Sequence, residues 1–218
     1  MAIIFISQPS AAADSEKTAG IIGKIQKSFD DTLGMTARFT QEFESKGFGK
    51  TSVHKGKMSM LKPARMLWKY DSPKGRILVA DGEKLWFYDP EENVAYYEKI
   101  EGFLSEKSPA LFLAGKQTMR ELFETSVAPQ GKMDKMNDVV RLKLVPKTPQ
   151  PGVKAMLLTV DATSFDIVEL LMVDYVGNKN RITFSKEDRS ASPDPSIFTF
   201  TPPEGAPVKA MNKVPGAE

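Results

Sequence analysis

The spacing of apolar residues changes once near the start of the chain. Between Asp14 and about Leu33, apolar residues recur at the period of an α-helix, with lysine and aspartate between them. Asp14 or Ser15 can cap the start of this helix, and Gly34 can end it. The segment therefore predicts one amphipathic helix, with an apolar stripe formed by Ile22, Ile25, Phe29 and Leu33.

From Thr36 the period becomes two, which is typical of β-strands. Asp81-Gly82 between two apolar runs is a strong hairpin signal, and other turn-rich segments separate a succession of short strands up to Ile100. Such spacing predicts an antiparallel sheet that curls on itself. One face of the first three strands collects methionine and aromatic residues: Phe39 and Phe43, then Met58 and Met60, then Met66 and Trp68.

A short helix interrupts the strands. Ser108-Pro109 is a favourable helix start, and the next residues are apolar nearly all round up to Gly115. Thr118 to Glu124 can add one or two further helical turns. Strands then resume, and they are predicted at Ser126–Ala128, Val139–Val145, Ala155–Asp161, Ile167–Asp174 and Arg181–Ser185.

The length of 218 residues and the absence of an internal linker favour a single domain, which we place at residues 14–205. Residues 206–218 are rich in proline and lysine, which predicts a frayed C-terminal tail. At the other end, Met1–Ala13 combines a short apolar run with three alanines. We interpret it as the remnant of a secretion signal peptide or as a disordered tail.

Composition narrows the possible functions. The net charge is +2 and no basic run occurs, so nucleic acid is not expected as a partner. Cysteine is absent, which excludes disulfides, thiolate metal sites and thiol nucleophiles. No stretch is long and apolar enough for a transmembrane helix, so we expect a protein that does not span the membrane.

Residues that could support catalysis are scarce. His54 is the single histidine, and it is interpreted as a strand residue without a chemical role. Gly49-Lys50-Thr51 resembles the end of a phosphate-binding loop, but position 44 holds glutamate where that motif needs glycine. The carboxylates Glu187 and Asp188 are placed in a solvated loop. We therefore expect neither an enzyme nor a bound cofactor or metal.

Two strings of residues between Leu61 and Pro90 are distinctive. Lys62-Pro63-Ala64-Arg65-Met66-Leu67-Trp68-Lys69-Tyr70 precedes Leu78-Val79-Ala80-Asp81-Gly82-Glu83-Lys84-Leu85-Trp86-Phe87-Tyr88-Asp89-Pro90. Together with Ala37–Gln41, Ser108–Leu113 and Phe198–Pro203, they resemble the outer-membrane lipoprotein carrier protein family (LolA) from about Ile22 to Gly205.

This resemblance implies an unclosed antiparallel β-barrel, with an N-terminal helix and an α-helical lid over an apolar cavity. Family members take lipoproteins from an inner-membrane ABC transporter, hold their acyl chains, and pass them to an outer-membrane receptor. The receptor is itself a lipoprotein, and a chain without cysteine cannot be acylated in that way. The resemblance therefore implies a monomeric carrier in the periplasm.

The resemblance also suggests the residues of the binding site. Flexible, polarizable side chains such as methionine suit a cavity for acyl chains, although methionine and aromatic residues along one strand face are also common in an ordinary barrel core. The expected cavity lining comprises Phe39, Phe43, Met58, Met60, Met66, Trp68, Leu111 and Leu113. Lys62 stands where the family commonly has a lid-contacting arginine, and Arg65 lies close enough to share that contact.

Two other functions fit the same sequence. The first is carriage of another lipid, such as a glycolipid. The second is a lipid-sensing regulatory module, because a related fold occurs in periplasmic proteins that restrain an anti-sigma factor.

Overall fold

The computed structural model describes residues 11–100, 118–129, 138–149 and 152–211, with side chains from residue 18 onward. Two α-helices and a 3-10 helix accompany twelve strands in this part of the chain. The helices are α1 (Ala11–Asp31), α2 (Met119–Leu122) and the 3-10 helix Pro195–Phe198. The strands are β1 (Gly34–Ser45), β2 (Lys50–Leu61), β3 (Arg65–Ser72), β4 (Ile77–Asp81), β5 (Lys84–Asp89), β6 (Val94–Lys99), β7 (Phe123–Val127), β8 (Val139–Pro146), β9 (Ala155–Asp161), β10 (Ile167–Val173), β11 (Lys179–Asp188) and β12 (Val208–Ala210).

All twelve strands belong to one open sheet, in the order β12-β6-β5-β4-β3-β2-β1-β11-β10-β9-β8-β7. Neighbouring strands are antiparallel except β12, which lies parallel to β6. The long β1–β2 hairpin runs in register from Gly34 opposite Leu61 to Ser45 opposite Lys50. The predicted antiparallel, unclosed sheet with an N-terminal helix is therefore confirmed. The predicted lid, Ser108–Gly115, lies outside the described residues.

Helix α1 covers one part of the sheet. Leu33 follows the end of the helix and is 70% exposed, so it is not part of the predicted apolar stripe. The other three stripe residues, Ile22, Ile25 and Phe29, are buried as their helical spacing predicts. They pack with the inward-facing residues of β7 to β9, which are Phe123, Leu142, Leu144, Met156, Leu158 and Val160. Each of these apolar side chains contributes about 1.5–3 kcal/mol when it is fully buried. This core therefore holds α1 firmly on that half of the sheet.

A second, smaller core lies on the opposite face of the sheet. There Leu67 and Val79 are buried against Phe198 of the 3-10 helix. Asp194 caps that helix by accepting a hydrogen bond from the Ser196 amide at 2.8 Å. The C-terminal segment thus covers the outer face of β3 and β4, while α1 covers the inner face elsewhere.

Three expectations about local structure need correction. Residues 206–211 are not frayed: β12 pairs with β6, and the amide of Met211 donates to the carbonyl of Tyr97 at 2.8 Å. This pairing satisfies the backbone groups that β6 would otherwise expose at the sheet edge. Glu187 and Asp188 end strand β11 instead of lying in a loop. Helix α1 begins at Ala11, three residues before its predicted start at Asp14.

Candidate functional site

The inner face of the central strands carries an apolar cluster distinct from the core under α1. Its buried members are Ala37, Phe39, Met58, Met60, Trp68 and Ile182, and its partly buried members are Met35, Met66, Tyr70, Leu78, Met172 and Phe184. We call these residues the methionine–aromatic cluster. The register produces it directly, because Ala37 lies opposite Met58, Met58 opposite Trp68, and Met60 opposite Met66.

Three aromatic rings of the methionine–aromatic cluster pack against one another. The Phe39 ring centroid lies 4.6 Å from that of Trp68 and 5.1 Å from that of Tyr70. Phe39 lies directly over Gly56 of β2: a Cβ on this glycine would lie 2.7 Å from the Phe39 ring and 2.1 Å from the Lys69 carbonyl oxygen. Glycine is therefore required at position 56 for the Phe39 ring and the Lys69 carbonyl group to approach β2 this closely.

Five of the eleven methionines of the chain belong to the cluster: Met35, Met58, Met60, Met66 and Met172. Methionine is unbranched and polarizable, so it adapts to irregular shapes better than leucine or isoleucine does. The core beneath α1 instead contains mainly branched aliphatic residues. The two apolar regions therefore differ in how easily they can rearrange around a ligand.

A buried hydrogen-bond donor lies within the cluster. Trp68 is 9% exposed, and its indole Nε1 has no hydrogen-bond partner among the described residues. An unsatisfied buried donor of this kind costs about 1–3 kcal/mol. A ligand with a carbonyl oxygen at this point would satisfy it.

Polar side chains bound the cluster on one side. The Tyr70 hydroxyl donates to Gln41 Oε1 at 3.0 Å, and Gln41 Nε2 donates to Asn180 Oδ1 at 3.0 Å. Burial raises the pKa of Tyr70, an effect that the charge of Arg76 partly offsets. The tyrosine therefore remains a hydrogen-bond donor at neutral pH. This chain of hydrogen bonds limits the apolar space toward the β1–β2 turn.

Lys62 contacts the C-terminal end of helix α1. Its ammonium donates to the carbonyl oxygens of Phe29 at 2.5 Å and Asp30 at 3.3 Å, and it lies 4.2 Å from the centroid of the Phe29 ring. Burial lowers the pKa of Lys62. Helix α1 has no basic residue in its own last turn, so this lysine complements the negative end of the helix dipole.

Arg189, which the sequence did not single out, contacts the same helix end. It donates to Ser28 Oγ at 2.8 Å, to Thr32 Oγ1 at 2.9 Å and to the carboxylate of Asp166. Arg189 follows β11, whereas Asp166 precedes β10. Together, Lys62 and Arg189 fix the end of α1 to two separate parts of the sheet.

The structure brings five of the predicted cavity residues together in the methionine–aromatic cluster: Phe39, Met58, Met60, Met66 and Trp68. Phe43 is half-buried on the same face of β1 but lies outside the cluster. Leu111 and Leu113 lie outside the described residues. Arg65 pairs through its backbone with Leu61 and Asp81. The contributions of Met172, Ile182 and Phe184 were missed, although the alternation along β10 and β11 contains the signal for them.

Comparison with known proteins assigns the family. Residues 30–201 match the family model described as outer membrane lipoprotein carrier protein LolA. The chain belongs to this family, as the residues between Leu61 and Pro90 suggested. It is accordingly a member of a family of carrier proteins and not an enzyme.

Individual relatives are distant but cover most of the chain. The outer-membrane lipoprotein carrier protein of Chromobacterium violaceum is 27% identical over 87% of each chain, and that of Methylococcus capsulatus is 28% identical over 84% of each chain. An uncharacterized conserved protein from Thermus thermophilus has a similar fold, with a TM-score of 0.55 and 12% identity over 88% of this chain and 98% of that chain. Among the described residues, no helix is both long and apolar enough to cross a bilayer.

Proposed function

We propose that this protein carries lipoproteins through the periplasm by holding their acyl chains against the methionine–aromatic cluster. Membership of the LolA family and relatives named outer-membrane lipoprotein carrier proteins support this role. The main structural observation behind it is a cluster that contains five methionines, Phe39 and Trp68, in which the Trp68 indole N–H is buried without a hydrogen-bond partner among the described residues.

The chemistry of the cluster suits a ligand that must be bound and later released. Each acyl methylene removed from water contributes about 0.8 kcal/mol, so an apolar surface is enough to hold a lipid chain. Methionine side chains can change rotamer to follow chains of different shape. The buried residues of the core under α1 all differ from those of the cluster, and Met172 packs against both. Most of the cluster can therefore rearrange while α1 stays packed on its own core.

Trp68 gives the site a point of orientation. Lipoprotein acyl chains are attached through ester and amide carbonyl groups, which are hydrogen-bond acceptors. An acceptor at Nε1 of Trp68 would remove the cost of its buried, unpaired N–H group. The carbonyl end of the lipid would then lie at Trp68, with the hydrocarbon along the methionines.

The remaining elements of the role come from the family. The cargo would be received from an inner-membrane ABC transporter and delivered to an outer-membrane receptor. Such a route needs export of the carrier, for which Met1–Ala13 is the candidate signal remnant. N-terminal sequencing of the native protein should then find a start near Asp14, whereas a retained Met1 in a cytosolic fraction would contradict export.

Site-specific photocrosslinking tests the location of the cargo. A benzoylphenylalanine at position 66 lies in the cluster, and one at position 143 lies on the exposed outer face of β8. We expect ultraviolet light to attach an acylated lipopeptide to the protein labelled at position 66 and not to that labelled at position 143. Equal labelling at both positions, or none at position 66, would exclude the cluster as the acyl site.

A further inference from the structure

Large apolar side chains are exposed at one end of the sheet. The β1–β2 turn carries Phe48, which is 79% exposed, and the β10–β11 turn carries Tyr175 and Val176, which are 58% and 70% exposed. We call these two turns, residues 45–50 and 174–178, the hairpin tips. Exposed apolar groups gathered in this way usually mark a contact surface.

The hairpin tips lie side by side and are internally fixed. The Lys46 amide donates to Asn178 Oδ1 at 3.0 Å, and Lys179 pairs with Glu44 at 3.1 Å. The Asp174 carboxylate accepts hydrogen bonds from the amides of Val176, Gly177 and Asn178. A cleft of about 620 Å³ lies between the tips and is lined by Ser45, Lys46, Gly47, Phe48, Val176 and Asn178. The apolar side chains are therefore held outward by the fold.

A row of cations lies on the outer face of the adjoining strands. Lys57 of β2 is directly opposite Arg38 of β1 on one side and Lys69 of β3 on the other, and Lys55 precedes it on the same face. We call Arg38, Lys55, Lys57 and Lys69 the basic row. Like charges placed directly opposite each other destabilise a sheet. An external anion would relieve this repulsion.

Few carboxylates neutralise the basic row. Within the described part of the chain, Asp71 pairs with Arg38 at 3.3 Å, and no ion pair is formed by Lys55, Lys57 or Lys69. Glu42 lies on the same face nearer the tips, where it is 3.9 Å from Arg181. Val53, which is 48% exposed, precedes Lys55 on β2 and connects the row to the apolar tips.

We propose that the hairpin tips and the basic row form a surface that docks on an anionic lipid bilayer. Aromatic and aliphatic side chains that protrude from turns can enter the headgroup region, and flanking lysines are attracted to anionic lipid. The basic row supplies the charge complementarity, and the tips supply the apolar contact. This docking does not depend on the identity of the cargo.

Vesicle flotation of the full chain tests the proposal. Wild type should float with vesicles of phosphatidylcholine mixed with phosphatidylglycerol and remain behind with phosphatidylcholine alone. The tip variant Phe48→Ser/Val176→Ser should lose this binding. The charge variant Lys57→Gln/Lys69→Gln should bind roughly fivefold more weakly for each lysine removed, at low salt.

Two control variants test whether the loss of binding is specific to the hairpin tips and the basic row. Leu33→Ser removes an apolar residue that is 70% exposed outside the hairpin tips, and Lys99→Gln/Lys143→Gln removes two exposed lysines outside the basic row. Both controls should float like wild type, and all variants should keep the circular dichroism spectrum of wild type. Absence of flotation in wild type, or equal flotation of the tip variant, would overturn the proposal. Binding to protein-containing inner membranes but not to vesicles of their extracted lipids would also overturn it, since the partner would then be a protein.

Discussion

The substitution Trp68→Phe removes the unpaired indole N–H and retains an aromatic ring. Removal of the N–H relieves a cost of about 1–3 kcal/mol in the unliganded protein. Replacing the larger indole loses packing with Phe39 and Phe184, which we put at about 1–2 kcal/mol, a fraction of the ~3–5 kcal/mol for complete truncation. Together, the two effects should leave the free energy of unfolding between about 1 kcal/mol below and about 2 kcal/mol above that of wild type.

Ligand binding should respond more strongly than stability. A hydrogen bond from Nε1 to a lipid carbonyl contributes about 0.5–1.5 kcal/mol, which corresponds to roughly 2- to 13-fold in Kd. The assay compares a lipopeptide with ester-linked chains and its ether-linked analogue, which lacks those carbonyl groups, by displacement of a fluorescent fatty acid. Wild type should prefer the ester, and Trp68→Phe should lose that preference.

Trp86 provides a matched control. Its Nε1 already donates to Asp81 Oδ2 at 3.3 Å, and its side chain packs with the Leu67–Val79–Phe198 core on the opposite face of the sheet. Trp86→Phe should therefore lower stability without changing the preference for ester over ether. The proposed role of Trp68 is refuted if Trp68→Phe keeps the ester preference of wild type, or if it destabilises the unliganded protein by more than about 1 kcal/mol.

Three further substitutions test other parts of the molecule. Met66→Glu should abolish binding of a fluorescent fatty acid while leaving thermal unfolding near that of wild type. A carboxylate at this half-buried position can stay hydrated in the unliganded protein, whereas covering it unpaired with acyl chains is costly. A collapsed fold would favour simple core packing. Arg189→Ala should lower the free energy of unfolding in urea by about 2–3 kcal/mol, because it removes hydrogen bonds to Ser28, Thr32 and Asp166, and an unchanged midpoint would contradict this anchoring role. Burial and the nearby charge of Asp166 raise the pKa of Glu187 to about 7, partly offset by Arg189, and this folded-state pKa lies above the unfolded value of 4.5. Wild type should therefore lose stability relative to Glu187→Gln as the pH rises from 4.5 to about 7, and parallel pH profiles for the two proteins would refute the assignment.

Local patterns in the sequence were sufficient for most of the secondary structure. Helical spacing located the buried face of α1, and alternation located the strands, because each period maps directly onto one buried face. The prediction of a frayed C-terminal tail was wrong because strand β12 forms by pairing with the edge strand β6. Such pairing over a long sequence distance leaves little trace in a three-residue segment.

Site residues that share a strand face by alternation could be predicted from the sequence. Residues that act through contacts between distant parts of the chain could not. Met58, Met66 and Trp68 share a face by parity alone, so the sequence could place them together. Arg189 lies 161 residues from Ser28 and 157 from Thr32, and no local pattern marks it as their partner. Whether Lys62 also contacts a lid stays a prediction, since the observed partners of its ammonium lie in α1.

The most direct test of the carrier role is mass spectrometry of the cargo bound to the native protein. The protein would be isolated from the periplasm of its host without detergent, alongside the Met66→Glu variant, and the bound molecules identified in both samples. We expect acylated lipoproteins bound to wild type and absent from Met66→Glu. Recovery of only free lipid or glycolipid, or equal recovery of lipoproteins from the two proteins, would contradict the carrier role.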